Sequence, residues 1–323
     1  MTEDEGSFPH PPDSGSDDSK ESSSLQRSEQ KKESGKISNR FLSRRYLRTT
    51  LWAGGLALFV KIFIFEAYGV PSSSMENTLL VGDCFFVDKF SYGATTPRTI
   101  PLTHIRIPHR QILPALRSPS RNDVIVFEST STNATEEDAR PMYYVKRCIA
   151  LPGDTVEIAG KQVFINRVPR REVASCVFSA FTLPRGNREE GIFPKGFPYN
   201  RDWWGPRVVP YQGMKIKLTL ENIDEWRSFI EREGHSIRFT LDGRIEISGV
   251  QGSVYTVERD YYFVLGDNRD NSQDSRYRGY IAHGDIIGRA MFLYWSWDNR
   301  IRFTRPFALL SSIRWDRIGM AVR

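Results

Sequence analysis

Two short polar segments and one isolated lysine carry the residue types that a hydrolase could use. The first segment, VPSSSMENTLLVGD, places Ser72, Ser73 and Ser74 directly after an apolar stretch. A serine hydroxyl becomes a nucleophile only when a neighbouring base takes its proton. Side chains alternate along an extended chain, so the hydroxyls of Ser72 and Ser74 would lie on one side. By itself the segment is more typical of a polar linker, and a catalytic role needs a base.

The usual base for serine is histidine, and the chain has five: His10, His104, His109, His235 and His283. No nucleophile motif such as G-x-S-x-G accompanies them, so exposed surface histidines are the simpler interpretation.

Lys146, in the strand-like segment MYYVKRCIALPGD, is a second candidate base. Its neighbour Arg147 must point to the opposite face of a strand. A charged lysine on an apolar face is unfavourable, so burial would lower its pKa and supply a neutral amine. A solvent-facing lysine on an edge strand is the alternative.

The third segment, GDNRDNSQDSR, covers Gly266–Arg276 and follows the hydrophobic run DYYFVL. It does not fit a helix–loop–helix calcium site, because Arg269 and Ser272 occupy the third and sixth positions, where that loop needs an oxygen ligand and a glycine. Two interpretations remain. The segment is a plain polar turn, or its carboxylates, arginines and serine form a buried network that holds two strands in register.

The elements that must position these groups are mostly strands. Short runs rich in Val, Ile, Tyr and Phe, punctuated by Gly, Asp, Asn or Pro, predict strands. They are DCFFVDKF, DVIVFE, YYVKRCIAL, TVEIAGKQVFIN, KIKLTL, RIEISG and DYYFVLGD. The prediction is a mainly β domain at 69–323, with a core at about 69–160 and 255–323 and an inserted β-rich subdomain at about 161–254.

One helix is predicted inside that inserted subdomain, in the segment ENIDEWRSFIEREG. Ile223, Trp226, Phe229 and Ile230 recur at helical spacing, and Gly234 ends the pattern.

The N-terminal part has a different character. Residues 1–40 hold ten serines and only four apolar residues, too few to offset the entropy of ordering, so 1–45 is predicted to be a disordered tail. The apolar run LWAGGLALFVKIFIF, extended to 46–68, is long enough to cross a bilayer. A removable signal peptide is the alternative, but no A-x-A-like cleavage site follows the run.

Charge predicts the orientation and the class of partner. Residues 31–50 contain seven Lys and Arg and residues 69–88 contain none. The positive-inside rule therefore places the tail in the cytoplasm and 69–323 across the membrane. The net charge of +6 suits an anionic membrane, whereas no zinc-finger spacing or RNA-binding signature supports nucleic-acid binding. Three cysteines are too few for a disulfide framework.

In this order, the three polar segments resemble the nucleophile, base and final boxes of the bacterial type I signal peptidases. The anchor precedes the first box as it does in that family, and the resemblance covers roughly 46–160 and 255–300. It implies an antiparallel β catalytic core that needs no metal or cofactor. It also implies a single-pass serine endopeptidase of the bacterial cytoplasmic membrane. Its partners would be the bilayer and exported preproteins, whose signal peptides it removes after small residues at positions −1 and −3.

The resemblance also implies a role for individual residues. Ser74 would be the nucleophile and Lys146 the general base, Ser72 would contribute to the oxyanion hole, and Ser272 would hydrogen-bond and orient Lys146. Arg147 would pair with Asp267, while Asp274 and Arg276 would brace the site. The shallow substrate pockets would be lined by Val70, Met75, Leu79, Tyr144 and Val145.

Three positions depart from the family pattern. Asn77 stands where the family usually has proline, RND at 121–123 replaces RGD, and Cys148 replaces a small residue. None of these changes removes a catalytic group.

Two other classes of protein compete with this interpretation. A soluble self-cleaving repressor would carry a DNA-binding domain where this chain has its apolar run. A non-enzymatic, membrane-tethered envelope protein explains the span and the strands, but it leaves Ser72, Ser74, Lys146 and Ser272 unexplained. The sequence leaves the oligomeric state open.

Overall fold

The computed structural model describes residues 44–61, 63–93, 114–129, 142–240, 244–298, 300–301 and 306–323. The chain divides into two compact units, Met1–Phe59 and Val60–Arg323. The helices are α1 (44–61), α2 (Ile223–Arg232), α3 (Ser275–Arg278) and α4 (Pro306–Ser311). The strands are β1 (Phe65–Gly69), β2 (Asp83–Asp88), β3 (Val124–Ser129), β4 (Met142–Ala150), β5 (Thr155–Ala159), β6 (Gln162–Ile165), β7 (Val168–Pro169), β8 (Trp203–Val208), β9 (Lys215–Lys217), β10 (Ile237–Phe239), β11 (Ile245–Ile247), β12 (Val250–Gln251), β13 (Val254–Thr256), β14 (Tyr261–Leu265), β15 (Ile281–Ala282) and β16 (Ile286–Ser296).

The largest sheet has seven strands in the order β1-β2-β16-β3-β4-β14-β15, and every neighbouring pair is antiparallel. Strand β4 lies between β3 and β14, with Ile125 opposite Lys146 and Leu265 opposite Arg147. All five residues of β14 are buried. That central position brings the loop that begins at Gly266 next to Lys146 and Arg147. The mainly β antiparallel fold is therefore confirmed.

The inserted part of the chain forms three smaller sheets. They are a four-stranded sheet (β7-β6-β5-β8), a three-stranded sheet (β10-β11-β12) and a β9–β13 pair. The boundary predicted at about 161 falls in the turn between the paired strands β5 and β6, where Lys161 lies. The change of sheet falls between Ala150 and Thr155 and again between Thr256 and Tyr261. The turn residues at 160–161 resemble a domain boundary in sequence, but they close a hairpin.

The inserted part and the large sheet share one hydrophobic core. A single cluster joins Ile149 and Phe263 of the large sheet to Val156 and Trp204 of the four-stranded sheet. It also includes Phe229 of the predicted helix, which the structure shows as α2. Helix α2 buries the face that its apolar spacing predicted, and Gly234 follows it with a φ of +95°. The inserted sheets therefore stabilise strands β4 and β14, which flank the polar loop.

The predicted N-terminal boundaries need correction. The described part of helix α1 starts at Arg44, inside the predicted tail, and residues 1–43 lie outside the described part of the chain. Phe65–Tyr68 belong to strand β1, where Gly69 pairs with Cys84 of β2, and not to a span ending at 68. An apolar run alone does not distinguish a helix from a strand, and here pairing with β2 decides. Among the described residues, no helix combines the length and apolar character that crossing a bilayer requires.

Candidate active site

Ser74 lies in a closed loop between β1 and β2. Two backbone hydrogen bonds close this loop, from Val70 N to Asp83 O at 2.9 Å and from Gly82 N to Val70 O at 3.1 Å. Ser73–Met75 form one turn of 3-10 helix, and the Met75 side chain is buried. The buried Met75 side chain thus anchors the loop in the hydrophobic core. The Ser74 hydroxyl lies at the edge of that core.

Lys146 reaches Ser74 from strand β4. Its Nζ lies 2.6 Å from Ser74 Oγ and 3.0 Å from the carbonyl oxygen of Val145. Only 3% of Lys146 is exposed, and this burial lowers its pKa from 10.5 to about 8. The structure therefore contains the serine–lysine pair predicted from the sequence. The neutral amine of Lys146 is close enough to accept the proton of the Ser74 hydroxyl.

The two flanking serines differ in how closely they match the prediction. Ser72 Oγ lies 3.4 Å from Ser74 Oγ, beside the nucleophile. Ser272 Oγ is buried but has no hydrogen-bond partner among the described residues, so the predicted bond to Lys146 is absent. Ser272 is nevertheless tightly held. A Cβ on Gly266 would lie 2.2 Å from Ser272 Oγ and 2.6 Å from Ser74 O, so only glycine fits at 266.

Arg147 forms a fully buried ion pair with Asp267, on the loop after β14. Its Nε donates to Oδ1 at 2.8 Å and its Nη2 to Oδ2 at 2.6 Å, and both side chains are 0% exposed. Burial alone would raise the pKa of Asp267, but the hydrogen bonds and charge of Arg147 lower it overall. Nη1 also donates to the backbone oxygen of Asn122, and Nη2 donates to the backbone oxygen of Arg323 and to Thr78 Oγ1. The predicted ion pair is thus present, with further hydrogen bonds on the arginine side.

Asp274 and Arg276 form a second buried pair. Arg276 donates through Nε at 2.9 Å and through Nη2 at 2.8 Å to the two carboxylate oxygens. Asp274 also accepts from Gly266 N at 3.1 Å and caps helix α3 by accepting from Arg276 N. The polar segment is therefore a folded network and not a plain turn.

Several side chains that tie this loop to Ser74 were missed in the sequence. Asn268 N donates to Ser74 O at 3.1 Å, and Asn268 Nδ2 donates to Ser73 O at 3.2 Å. Asn271 Nδ2 donates to Ser73 Oγ at 3.0 Å, and Thr78 Oγ1 donates to Asp267 Oδ2 at 2.5 Å. The asparagines stood within the recognised segment. Their partners lie almost 200 positions away, and no local pattern reveals such contacts.

Two departures from the family pattern have a local structural reason. Asn77 has φ +71° and Asn122 has φ +75°, and asparagine tolerates this left-handed region better than most residues. Asn122 replaces a glycine, the residue best suited to such a φ. Its side-chain oxygen also accepts a hydrogen bond from Arg170 of the inserted part, which glycine cannot do.

The five predicted pocket residues fall into two groups. Val70, Met75 and Leu79 are buried in one hydrophobic cluster, with Val145 packed against it. Tyr144 lies in another cluster, stacked at 5.8 Å on Phe127.

The histidines that the structure describes have other partners. His283 contacts Tyr262 OH at 3.3 Å, and His235 contacts Ser248 and Glu258. His10, His104 and His109 lie outside the described residues.

Comparison with known proteins agrees with this geometry. The model of the family "Signal peptidase, peptidase S26" matches residues 43–295. The chain belongs to this signal peptidase family. The match includes Ser74, Lys146 and the Gly266–Arg276 segment, and it classes the protein as an S26 serine peptidase.

Curated relatives carry the same name. Signal peptidase I of Buchnera aphidicola subsp. Acyrthosiphon pisum is 30% identical over 75% of this chain and 72% of its own length. Signal peptidase I of Rickettsia conorii is 28% identical over 76% of this chain and 79% of its own length. Signal peptidase I of Helicobacter pylori is 28% identical over 80% of this chain and 84% of its own length. A crystal structure of signal peptidase I from Enterococcus faecalis covers 54% of this chain and 97% of its own, at 21% identity and a TM-score of 0.24.

Proposed function

We propose that this signal peptidase cleaves the signal peptides of exported preproteins with Ser74 as nucleophile and Lys146 as general base. The observation that carries the proposal is the 2.6 Å contact between Lys146 Nζ and Ser74 Oγ at a buried lysine whose pKa falls to about 8. An unperturbed lysine would be protonated in all but about one molecule in 2,500 at pH 7, and could not act as a base.

The reaction follows from these two side chains. Ser74 Oγ attacks the carbonyl carbon of the scissile peptide bond while its proton passes to Lys146 Nζ. The resulting ammonium then gives that proton to the leaving amine, which releases the mature protein and leaves the signal peptide as an ester on Ser74. A water molecule, deprotonated by Lys146, hydrolyses the ester and restores the free serine.

The negative charge that develops on the carbonyl oxygen needs hydrogen-bond donors. The Ser72 hydroxyl, 3.4 Å from Ser74 Oγ, is placed to serve as one of them. The backbone N–H of Ser74 is the second candidate, because the first N–H groups of a helical turn have no acceptor within that turn. Two such donors aimed at the oxyanion would lower the barrier in the way that oxyanion holes do.

The preference for small residues at −1 and −3 is assigned to Val70, Met75, Leu79, Tyr144 and Val145. The three buried members of this set lie on the loop that carries Ser74, and Tyr144 and Val145 directly precede Lys146. The substrate would lie as an added extended strand beside them, so that alternate side chains point into the pockets.

The proposal includes a single membrane anchor that ends before Phe65 and holds the catalytic domain outside the cytoplasm. The apolar run that starts at Leu51 and the seven-to-zero difference in basic residues between 31–50 and 69–88 support this orientation. In the bacterial cytoplasmic membrane, a signal peptide inserted beside this anchor would present its cleavage site on the side where the domain lies.

The test is cleavage of a preprotein with an Ala-x-Ala site by the full chain in detergent or lipid. Ser74→Ala and Lys146→Ala are expected to remain folded and to lose cleavage, and Ser73→Ala is the matched control beside the nucleophile. Cleavage by Ser74→Ala at the wild-type rate would contradict the proposal. An unreactive wild-type chain would favour a non-enzymatic envelope protein.

A further inference from the structure

Charged groups of both signs act on Lys146. Asp274, Asp267, Arg276 and Arg278 all influence it. Each carboxylate has its own guanidinium, since Asp267 pairs with Arg147 and Asp274 with Arg276. Once these pairs are formed, Arg278 is the one cation of the group without a matching carboxylate among the described residues.

Arg278 is held in place without an ion pair. Its Cζ lies 4.3 Å from the centre of the Tyr144 ring, a cation–π geometry, and its Nε is buried with no hydrogen-bond partner among the described residues. Tyr144 precedes Lys146 by two positions on β4, so the two side chains share one face of the strand. At the other end, Arg278 N donates to Asp274 O at 2.9 Å, which fixes the turn that carries the arginine.

We propose that Arg278 is a positioning residue for the catalytic base. Its unmatched guanidinium, fixed over Tyr144, favours the neutral amine of Lys146. This inference rests on the proposed role of Lys146. It adds charge repulsion to burial as a second reason why the Lys146 amine is neutral.

The physical reason is repulsion between like charges. Burial is the largest contribution that lowers the pKa of Lys146; Asp274 and Asp267 raise it, while Arg278 and then Arg276 lower it. Nζ contacts the Ser74 hydroxyl and the Val145 carbonyl oxygen, and strand alternation puts Tyr144 and Cys148 on the same face of β4 as Lys146. Burial also raises the pKa of Cys148 to about 12, which keeps that thiol neutral. Among the arginines, Arg278 lowers the pKa of Lys146 most, and its repulsion opposes the attraction of Asp274.

The experiment is the pH dependence of kcat/KM for the full chain in detergent, with a preprotein substrate. Arg278→Met keeps much of the stem and removes the charge, and Arg278→Lys keeps the charge. For Arg278→Met, we expect the acid limb to move to higher pH. The ratio of kcat/KM at pH 7 to its alkaline plateau should fall about three- to tenfold, because one nearby charge shifts a pKa by roughly one unit. Arg278→Lys should retain most of the wild-type ratio.

Arg238→Met is the control for net charge, since Arg238 lies exposed on β10 in a separate sheet. An acid limb of Arg278→Met that coincides with the wild-type limb would overturn the inference. So would an equal shift in Arg238→Met. If Arg278→Met does not fold, Arg278→Gln and Arg278→Glu provide the same comparison, and the glutamate variant should show the larger shift. Cleavage by Lys146→Ala would overturn the proposed base itself, which separates that failure from a failure of Arg278 alone.

Discussion

Lys146 and Arg147 are neighbours on strand β4 and both are buried, yet their surroundings are opposite. Arg147 has a carboxylate partner with two short hydrogen bonds and donates to three further oxygens. Lys146 has no carboxylate within salt-bridge distance among the described residues, and its side-chain contacts are Ser74 Oγ and one carbonyl oxygen. One face of the strand thus stabilises a charge, and the other disfavours it.

The difference separates stability from reactivity. A carboxylate beside Lys146 would raise its pKa and hold the amine protonated, so a base must lack the partner that makes Arg147 stable. The face of β4 that carries Arg147 helps to position Ser74. Arg147 binds Asp267, and the next residue of that loop, Asn268, donates a hydrogen bond to the Ser74 carbonyl oxygen. The paired residue orders the loop, and the residue without a carboxylate partner is the proposed base.

The largest effect is expected from breaking the buried pair. Arg147→Met or Asp267→Asn leaves one charge buried without its partner, which costs about 3–5 kcal/mol in the free energy of unfolding. Chemical denaturation of the folded variants measures this loss. The double variant should lose much less than the sum of the two single losses, because no unmatched charge remains. Additive losses would mean that the two residues do not interact.

A smaller effect is expected from restoring the family proline at the turn beside this pair. Asn77 has φ +71° and proline is fixed near −65°, so Asn77→Pro should distort the Met75–Thr78 turn, at about 2 kcal/mol. Asn77→Gly, which tolerates this φ, is the matched control. A proline variant as stable and active as wild type would show that the left-handed turn is not required.

The smallest effect has the opposite sign. The pKa of Lys146 is lower in the folded state than in the unfolded state. This difference reduces the free energy of unfolding by its full amount below about pH 8, and the penalty disappears as pH rises toward 10.5. Lys146→Met removes that penalty and the hydrogen bond to Ser74 together. We expect a gain of about 1 kcal/mol at pH 7 with complete loss of cleavage. If Lys146→Met lowered the free energy of unfolding as much as Arg147→Met does, the proposed difference between the two neighbours would be wrong.

The sequence predicted the Ser74–Lys146 pair and the pairing of Arg147 with Asp267, because their residues stand in short segments with a distinctive order. It indicated a bracing role for Asp274 and Arg276 without pairing them with each other. It also predicted the strands that carry them. The run YYFVL before Gly266 predicted a strand, and the structure pairs it with β4.

Other features depend on contacts that no local pattern contains. The choice of strand over helix for Phe65–Tyr68 rests on pairing with β2, and the bonds of Asn268 to the Ser74 loop join distant parts of the chain. The predicted partner of Ser272 failed for a related reason. A family motif fixes the residue type but not the rotamer, and this hydroxyl has no hydrogen-bond partner among the described residues.

The most direct test of the account is the pH profile of kcat/KM, measured on a preprotein for the wild type and for Lys146→Arg. The acid limb reports the base in the free enzyme, so wild-type activity should fall as pH drops through about 8. Lys146→Arg keeps the positive charge but cannot lose its proton in the accessible range, so it should be inactive at every pH. A wild-type profile without an acid limb between pH 6 and 9, or cleavage by Lys146→Arg near the wild-type rate, would contradict the assignment of Lys146 as the base.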